Sequence, residues 1–498
     1  KRGTVLIQGP PGTGKSHIIC HGILPQVIAR GERVLVLCNS NVAVDALLTK
    51  CQDIAPLRGK LLRCGFKQFV SDQVINSGLY AEGQLSPRVN LFGSPSGSNS
   101  NTDDHYVRYQ IKSKHAVFTT IHFASKDKGR NEDSPYWDFD TLVLDEAAQI
   151  EDSKLFIVIA RCPSLKKIIL VGDPKQLQPY VPDSLRRQGY GKSSMERLME
   201  NADKDLSAAP NATLTPYVML NVQFRMAPCL RHIVSHLYYR DSLQDGPEVL
   251  HRGPGKNVKL QPLLVINLTG TSMQFSRLHQ SYENVAEAMV VSVVYNFLKS
   301  AEFSVALPAG VTLSATDICV LTPFNRHKDR LRNILFDIDE EQLDTYGGQT
   351  YGNNIGSPTK SQALYGTQEE VPEDLVAGVE NIDTVDKFQG SERKVVIIST
   401  CVDRKPLRAA DPHFINVACS RAQHLLVVVG NFSGALSANS DWMHVWKHAQ
   451  QNGSVINHAT SWSRKTEYSE ATYVPNIEEQ VLKSKLMDLL QRPSKRRR

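Results

Sequence analysis

The run Gly9-Pro10-Pro11-Gly12-Thr13-Gly14-Lys15-Ser16 directly follows the apolar segment Thr4–Gln8 and precedes a predicted helix, Ile18–Ala29. It matches the pattern G-x-x-x-x-G-K-[ST], in which glycines let the backbone turn so that its N–H groups face phosphate oxygens. Lys15 adds a cation for the β- and γ-phosphates, and Ser16 offers a hydroxyl to Mg²⁺. The alternative is a chance glycine-rich turn. The preceding strand and the following helix favour the phosphate-binding loop, because they are the context it requires.

Outward from this loop, short apolar runs alternate with stretches long enough for crossover helices, which is typical of an α/β fold with parallel sheets. We predict two such units in tandem, with a boundary near Tyr217. The predicted strands of the first unit are Thr4–Gln8, Arg33–Cys38, Ala116–Thr120, Thr141–Leu144 and Ile168–Val171, and those of the second are Leu263–Ile266, Ile318–Thr322, Val395–Thr400 and Leu425–Val429.

Three segments depart from this alternation. Residues 51–113 are predicted to be an accessory insertion in the first unit, with an exposed loop at Gly93–Thr102, and Gly347–Ser357 is a loose segment in the second. The predicted domains are therefore 1–217, 218–435 and a C-terminal extension, 436–498. In that extension apolar residues from Ile477 to Leu490 follow helical spacing. The basic end Lys495–Arg498 could be a nuclear address, a phosphate-binding tail or a solvated terminus.

Bulk composition limits the class of protein. Of 498 residues, 41% are hydrophobic and 22% charged, as in a soluble globular protein, and the net charge of +6 permits a polyanionic partner without requiring one. The nine cysteines form no C-x-x-C pair and predict neither a zinc site nor a disulfide framework, which favours a cytoplasmic or nuclear location. No apolar run reaches the ~18 residues of a membrane helix. The chain does not begin with Met, so we expect a fragment or a trimmed chain.

Two adjacent carboxylates follow a predicted buried strand in Leu142-Val143-Leu144-Asp145-Glu146. Asp145 is suited to hold Mg²⁺, and Glu146 is suited to position and deprotonate an attacking water. A helix N-cap would explain one acid but not the pair. The pair therefore predicts nucleotide hydrolysis rather than phosphate binding alone.

A further strand end carries Gln176, in the run Gly172–Pro179. A glutamine at a neighbouring strand end can hydrogen-bond a γ-phosphate and release it after hydrolysis. From these residues alone, an ordinary proline-containing turn is the alternative.

Five segments in order resemble the motif series of superfamily 1 helicases. The similarity is greatest to the up-frameshift-type subfamily, which includes nonsense-mediated decay, senataxin-like and immunoglobulin-switch-binding helicases, and it spans Val5 to Asn431. The segments are Asp145-Glu146-Ala147-Ala148-Gln149, Gly172-Asp173-Pro174-Lys175-Gln176-Leu177, Gln223-Phe224-Arg225-Met226, Val385-Asp386-Lys387-Phe388-Gln389-Gly390-Ser391-Glu392 and Asn416-Val417-Ala418-Cys419-Ser420-Arg421-Ala422.

The resemblance implies two RecA-like domains with ATP in the cleft between them. It implies that Gln176 senses the γ-phosphate, that Arg225 and Arg421 contact that phosphate from the second domain, and that Gly390 and Glu392 lie at the phosphate and ribose side of the nucleotide. An arginine finger suits this role because its guanidinium stays charged and offers several donors to phosphate oxygens.

The resemblance also implies a single strand of nucleic acid lying across both domains. The matching positions are small polar residues at predicted strand ends, suited to phosphate contacts without base reading. A turn or N-cap role is the alternative for each. These positions are Asn39, Ser40, Asn41, Thr119, Thr120, Thr322, Pro323 and Thr384.

The chain departs from the family at two points. The family has Arg or Lys after the final Arg-Ala pair, whereas this chain has Gln423. The adenine-reading glutamine upstream of the phosphate loop, and the β-barrel insertion that often precedes it, are absent from this sequence. We expect protein partners through such missing or accessory regions.

The sequence thus favours an ATP-dependent helicase that moves 5′ to 3′ on single-stranded RNA with ATP and Mg²⁺. The alternatives are a DNA helicase of the same subfamily, and an ATP-gated nucleic-acid clamp that recruits partners with little unwinding.

Overall fold

A computed structural model describes residues 3–81, 109–126, 138–208, 217–255, 258–304, 313–336, 379, 381–403, 407–467 and 470–491. The chain divides into two compact units, Lys1–Asn221 and Val222–Arg498. The predicted loops Gly93–Thr102 and Gly347–Ser357 and the basic end Lys495–Arg498 lie outside the described residues.

The first unit contains a seven-stranded sheet in the order β3-β4-β2-β5-β6-β1-β7, and every neighbouring pair is parallel. Its strands are β1 (Gly3–Gln8), β2 (Val34–Cys38), β3 (Leu61–Arg63), β4 (Ala116–Thr120), β5 (Thr141–Leu144), β6 (Lys167–Gly172) and β7 (Tyr217–Met219).

Helices connect these strands. After β1 the chain stays helical from Lys15 to Ala29, with a π-helical turn at Ile18–Ile23 between two α-helical segments. The other α-helices are 109–113, Asn41–Gln52, Asp72–Asn76, Ile121–Lys126, Asp152–Arg161, Asp183–Leu185 and Ser194–Ala208, with 3₁₀ turns at Ala55–Leu57, Lys67–Phe69 and Ala147–Gln149 and a second π turn at Arg186–Tyr190.

The sheet of the first unit has a hydrophobic core on each face. All five residues of β2 are buried. Alternate side chains of β2 pack into opposite cores. Leu35 and Leu37 lie in one core, and Val34, Val36 and Cys38 lie in the other. A strand covered on both faces needs a continuous apolar run, which explains why β2 and β4 are easily found in the sequence.

The second unit contains a six-stranded sheet in the order β14-β13-β15-β16-β10-β17, again parallel throughout. Its strands are β10 (Leu263–Thr269), β13 (Ile318–Thr322), β14 (Ile382–Thr384), β15 (Arg393–Ser399), β16 (Ala422–Gly430) and β17 (Val455–Ala459). Three two-stranded ribbons accompany it, formed by β8 (Val222–Gln223) with β9 (Gln244–Asp245), β11 (Gln274–Ser276) with β12 (Ser281–Glu283), and β18 (Ser461–Glu467) with β19 (Glu470–Asn476).

One helix, Val285–Leu298, supplies much of the core of this unit and is buried along most of its surface. The remaining α-helices are Pro228–Tyr238, Ala301–Ser304, Asn325–Phe336, Pro412–Cys419, Ser440–Gln451 and Glu479–Leu489, with 3₁₀ turns at Pro247–Val249, Ala315–Asp317 and Leu407–Ala410.

The predicted fold class is confirmed, since both units are parallel sheets flanked by helices. Two strands of the parallel sheets lie in segments that were predicted to be accessory: β3 falls within the predicted insertion and pairs with β4, and β17 falls within the predicted C-terminal extension and pairs with β10. Both are edge strands, β3 has only three residues, and an edge strand needs no long apolar run. In the described part of the chain, no helix combines the length and apolar character that crossing a membrane requires.

Candidate nucleotide and nucleic-acid sites

The phosphate loop of the first unit is folded as its pattern predicts. Gly9 leaves β1 with its N–H donating to the Gly172 carbonyl at 2.8 Å. Gly12 and Gly14 have φ angles of 73° and 83°, a left-handed conformation that favours glycine. Lys15 folds back over the loop and donates from Nζ to the Gly9 carbonyl at 2.9 Å. A side chain at Gly9 would collide with this lysine, because its Cβ would lie 2.1 Å from Lys15 Cγ.

The two carboxylates follow β5 and face this lysine. Lys15 Nζ lies 3.7 Å from Glu146 Oε1. Asp145 is 7% exposed, and its Oδ1 accepts the Glu146 N–H at 2.9 Å. Burial, followed by the charge of Glu146, raises the pKa of Asp145 to about 7, although Lys15 opposes this. Glu146 itself has a φ of 51°, an uncommon backbone conformation for a residue other than glycine that clusters at functional sites.

The oxygen atoms of Asp145 and Ser16 are donors of the kind that Mg²⁺ binds. The Asp145 carboxylate accepts through Oδ1, and the half-buried Ser16 stands at the start of the helical run next to Lys15. No cluster of three or more metal-binding side chains of the His, Cys, Asp or Glu type occurs among the described residues. A nucleotide-bound Mg²⁺ needs no such cluster, because it takes one or two protein oxygens and completes its shell with water and phosphate.

Gln176 belongs to a buried polar network beneath the loop. It is 2% exposed, and its Nε2 donates to Asp173 Oδ2 at 2.9 Å. Asp173 Oδ1 accepts from Gln8 Nε2 at 3.0 Å, and Gln8 Oε1 accepts from the Tyr217 hydroxyl at 2.5 Å. The network joins Gln176 to Gln8, the residue before the phosphate loop.

We did not predict Gln8, Asp173 and Tyr217 as site residues from the sequence. The available indication was Gln8, a polar residue that ends an otherwise apolar run and is 5% exposed. A buried amide of this kind needs hydrogen-bond partners.

In the second unit the structure brings Arg225 and Glu392 together. Arg225 Nε donates to Glu392 Oε2 and its Nη1 donates to the Ser420 carbonyl at 3.3 Å. Gln423 Nε2 donates to Glu392 Oε1 at 2.9 Å. Arg252, which was not predicted as a site residue, donates to the Arg225 carbonyl.

Arg421 lies close by but is 1% exposed. Its Nε donates to the Val417 carbonyl at 2.9 Å and its Nη1 to the Ser391 carbonyl at 3.2 Å. Gly390 has a φ of 87° and open space around the position of a Cβ. The three predicted nucleotide contacts Gly390, Glu392 and Arg421 thus belong to one local cluster, in which Arg421 is anchored and Gly390 is exposed.

The predicted nucleic-acid residues of the first unit lie directly after β2 and at the end of β4. Ser40 caps the helix Asn41–Gln52, since its Oγ accepts the Ala43 N–H at 3.2 Å. Asn41 Oδ1 accepts from the buried Arg63 at 2.8 Å, and Asn39 is exposed. The capping role that the sequence left open for Ser40 is therefore present.

The threonines at strand ends are buried. Thr120 Oγ1 accepts the Phe123 N–H at 3.1 Å, whereas the buried hydroxyls of Thr119 and Thr322 have no hydrogen-bond partner among the residues that the structure describes. Pro323 and Thr384 are buried as well. All of these residues lie at or directly after the C-terminal ends of parallel strands, where ligands of α/β folds bind. Their contact with a nucleic-acid strand stays a prediction.

Comparisons with known proteins identify the family. A family model described as an AAA domain matches residues 190–433, and a second with the same description matches residues 1–80 and 96–183. Relatives include a putative ATP-dependent RNA helicase (ECM32) of Saccharomyces cerevisiae at 24% identity, covering 92% of this chain and 41% of that protein. The regulator of nonsense transcripts 1 homolog of Neurospora crassa is 26% identical, covering 91% and 38%, and the 5′-3′ DNA helicase ZGRF1 of Mus musculus is 26% identical, covering 91% and 22%.

This chain spans less than half the length of each of these relatives. The two matched models together extend over most of it and contain all five segments of the motif series. The chain belongs to the superfamily 1 helicases, in the up-frameshift-type subfamily.

Proposed function

We propose that this chain hydrolyses ATP and couples hydrolysis to 5′-to-3′ movement along single-stranded RNA, unwinding duplexes or remodelling ribonucleoproteins. The observation that carries the proposal is the placement of Lys15 and Glu146 in the first unit, with Nζ 3.7 Å from Oε1 and Asp145 beside them. A cation on a phosphate loop facing two carboxylates is what metal-assisted attack of water on a γ-phosphate needs.

Each residue has one role in this proposal. The N–H groups of Gly9–Ser16 and the Lys15 ammonium bind the phosphates, while Ser16 and Asp145 hold Mg²⁺, which neutralises charge on the phosphates. Glu146 orients and deprotonates the attacking water. Gln176 hydrogen-bonds the γ-phosphate, and Arg225 and Arg421 stabilise the charge that develops on it.

RNA is the proposed strand because an RNA helicase and a regulator of nonsense transcripts are among the relatives. We propose that it contacts the strand ends that carry Asn39, Ser40, Asn41, Thr119, Thr120, Thr322, Pro323 and Thr384, mostly through phosphates. The nine cysteines, none of which forms a disulfide in the described part of the chain, support action in the cytoplasm or nucleus.

The first test measures ATPase turnover with single-stranded RNA, with single-stranded DNA and with neither. We expect stimulation by RNA. Stimulation by DNA alone would favour a DNA helicase instead. A relative named as a 5′-3′ DNA helicase supports this alternative. Stimulation of turnover without strand displacement on a duplex with a 5′ overhang would favour an ATP-gated clamp.

The second test is Glu146→Gln, which keeps the size of the side chain but removes the base. We expect turnover to fall by at least about 100-fold, the lower range for a general base, while ATP binding is retained. Glu151→Gln is the matched control, because Glu151 pairs with Lys154 at the surface of the same unit. Normal turnover in Glu146→Gln would remove this residue as the base.

A further inference from the structure

Arg225 is held at several points within the second unit. Its Nε donates to Glu392 Oε2, its Nη1 donates to the Ser420 carbonyl at 3.3 Å, and its backbone N–H donates to Gln223 Oε1 at 2.8 Å. Arg252 donates to its backbone carbonyl. Within the described part of the chain, Nη2 of Arg225 has no hydrogen-bond partner. The guanidinium is therefore fixed through two of its nitrogens while the third stays available to an anion.

Glu392 has both carboxylate oxygens engaged by protein donors. Oε2 accepts from Arg225, and Oε1 accepts from Gln423 Nε2 at 2.9 Å. Burial opposes ionisation of this carboxyl, but the charge of Arg225 and these hydrogen bonds hold its pKa below the ordinary value. Each carboxylate oxygen is thus engaged by a protein donor, and a ribose hydroxyl would have to share one of them with Arg225 or Gln423.

We propose that Glu392 is a positioning residue for Arg225, in place of the ribose contact that the family resemblance implies, and that Gln423 orients the carboxylate for this role. The proposal rests on the proposed function, because it assigns Arg225 to the γ-phosphate. Fixing an arginine in advance removes the loss of its side-chain freedom from the catalytic step.

The contact between Gln423 and Glu392 gives a reason for glutamine at position 423, where the family has arginine or lysine. Its amide donates a hydrogen bond to Glu392 without bringing a second positive charge. Arg225 is then the one cation in direct contact with this carboxylate among the described residues. A lysine or arginine at position 423 would form its own ion pair with Glu392 and so weaken the ion pair between Glu392 and Arg225.

The experiment compares ATP with 2′,3′-dideoxy-ATP in wild type, Glu392→Gln and Gln423→Leu. Both variants keep side-chain size, and thermal unfolding checks that each is folded. We expect Glu392→Gln to lower kcat by about tenfold or more while KM for ATP changes by less than about threefold, because a group that acts only at the transition state affects kcat. Discrimination between the two nucleotides should match that of wild type. Gln423→Leu should show the same pattern with a smaller loss.

A raised KM together with loss of discrimination in Glu392→Gln would show a ribose contact and overturn the proposal. Unchanged kcat in both variants would also overturn it. Glu479→Gln is the matched control, since it removes the same charge from an exposed ion pair with Lys483.

Arg225→Ala separates this role from the proposed function. We expect it to lower kcat strongly, and Glu392→Gln should add nothing on that background because both changes remove one interaction. Turnover retained in Arg225→Ala would remove Arg225 from the γ-phosphate and overturn this role with it. Loss in Arg225→Ala with full turnover in Glu392→Gln would overturn only the positioning role.

Discussion

Gly172 shows how one residue sets the geometry of the nucleotide site. It ends β6, and its carbonyl accepts the N–H of Gly9 at the start of the phosphate loop. A Cβ at this position would lie 2.9 Å from the backbone nitrogens of both Ala147 and Ala148, just after Glu146. Only glycine therefore allows the loop, the end of β6 and the turn after Glu146, the proposed base, to approach so closely.

Replacing Gly172 by alanine should destabilise the first unit. The obstacle is backbone rather than a flexible side chain, so overpacking should cost about 1–3 kcal/mol in the free energy of unfolding. It should also lower ATP turnover by displacing Glu146. Urea unfolding measures the first effect. Gly3→Ala is the control, because a Cβ there meets nothing within 4 Å. Equal stability of the two variants would contradict this account.

At the scale of elements, a buried polar network joins two helices to β15 in the second unit. Glu287, on the helix Val285–Leu298, accepts at Oε1 from the Ser399 hydroxyl at 2.8 Å and the Cys401 N–H at 2.7 Å. His327, on the helix Asn325–Phe336, has Nε2 2.7 Å from Ser399 Oγ and accepts the Asn284 N–H at Nδ1. The proton of neutral His327 therefore lies on Nε2.

This network predicts a pH dependence of stability. Burial raises the pKa of Glu287 to about 7, above its ordinary value of 4.5, despite the hydrogen bonds it accepts. Because the folded pKa is raised, its contribution is fully present below pH 4.5 and is lost as the pH rises through 7. The loss should amount to about 3 kcal/mol in the free energy of unfolding.

Glu287→Gln should remove this decrease in the free energy of unfolding with rising pH. The variant should therefore become more stable relative to wild type as the pH rises from 4.5 to 7. Fluorescence of Trp442, which is fully buried in the second unit, can follow unfolding there. Burial lowers the pKa of His327 to about 3, and its separate loss of stability toward acid pH should be similar in both proteins. Glu479→Gln serves as a surface control, and parallel stability curves for Glu287→Gln and wild type would refute the prediction.

At the scale of the whole molecule, charge and the proposed strand contacts predict how nucleic acid binds. The chain carries a net charge of +6, and the proposed contact residues are small and polar rather than suited to reading bases. Binding should therefore depend on phosphates and be largely independent of sequence.

Affinity for single-stranded oligonucleotides of different sequence should agree within about threefold and fall by at least about tenfold between roughly 50 and 200 mM salt, as expected when several phosphates are neutralised. Fluorescence anisotropy of labelled strands measures both quantities. Strong sequence preference with little response to salt would instead indicate base recognition.

Much of the fold could be predicted from the sequence. The strand Ile318–Thr322 was predicted with the bounds that the structure shows, because a strand buried on both faces has a nearly continuous apolar run. The edge strands β3 and β17 could not be found this way, since their place in the sheet depends on partners elsewhere in the chain.

The sequence by itself determined the phosphate loop, the Asp145–Glu146 pair and the α/β class, because each depends on neighbouring residues or on local periodicity. Only the tertiary structure decided the contact of Arg225 with Glu392, which are 167 positions apart, and that of Gln8 with Asp173, which are 165 apart. Gln8 and Asp173 meet where the parallel strands β1 and β6 end. Arg225 follows β8, and Glu392 directly precedes β15. In both cases the packing of segments far apart in the chain brings the residues together, and no local pattern in the sequence indicates it.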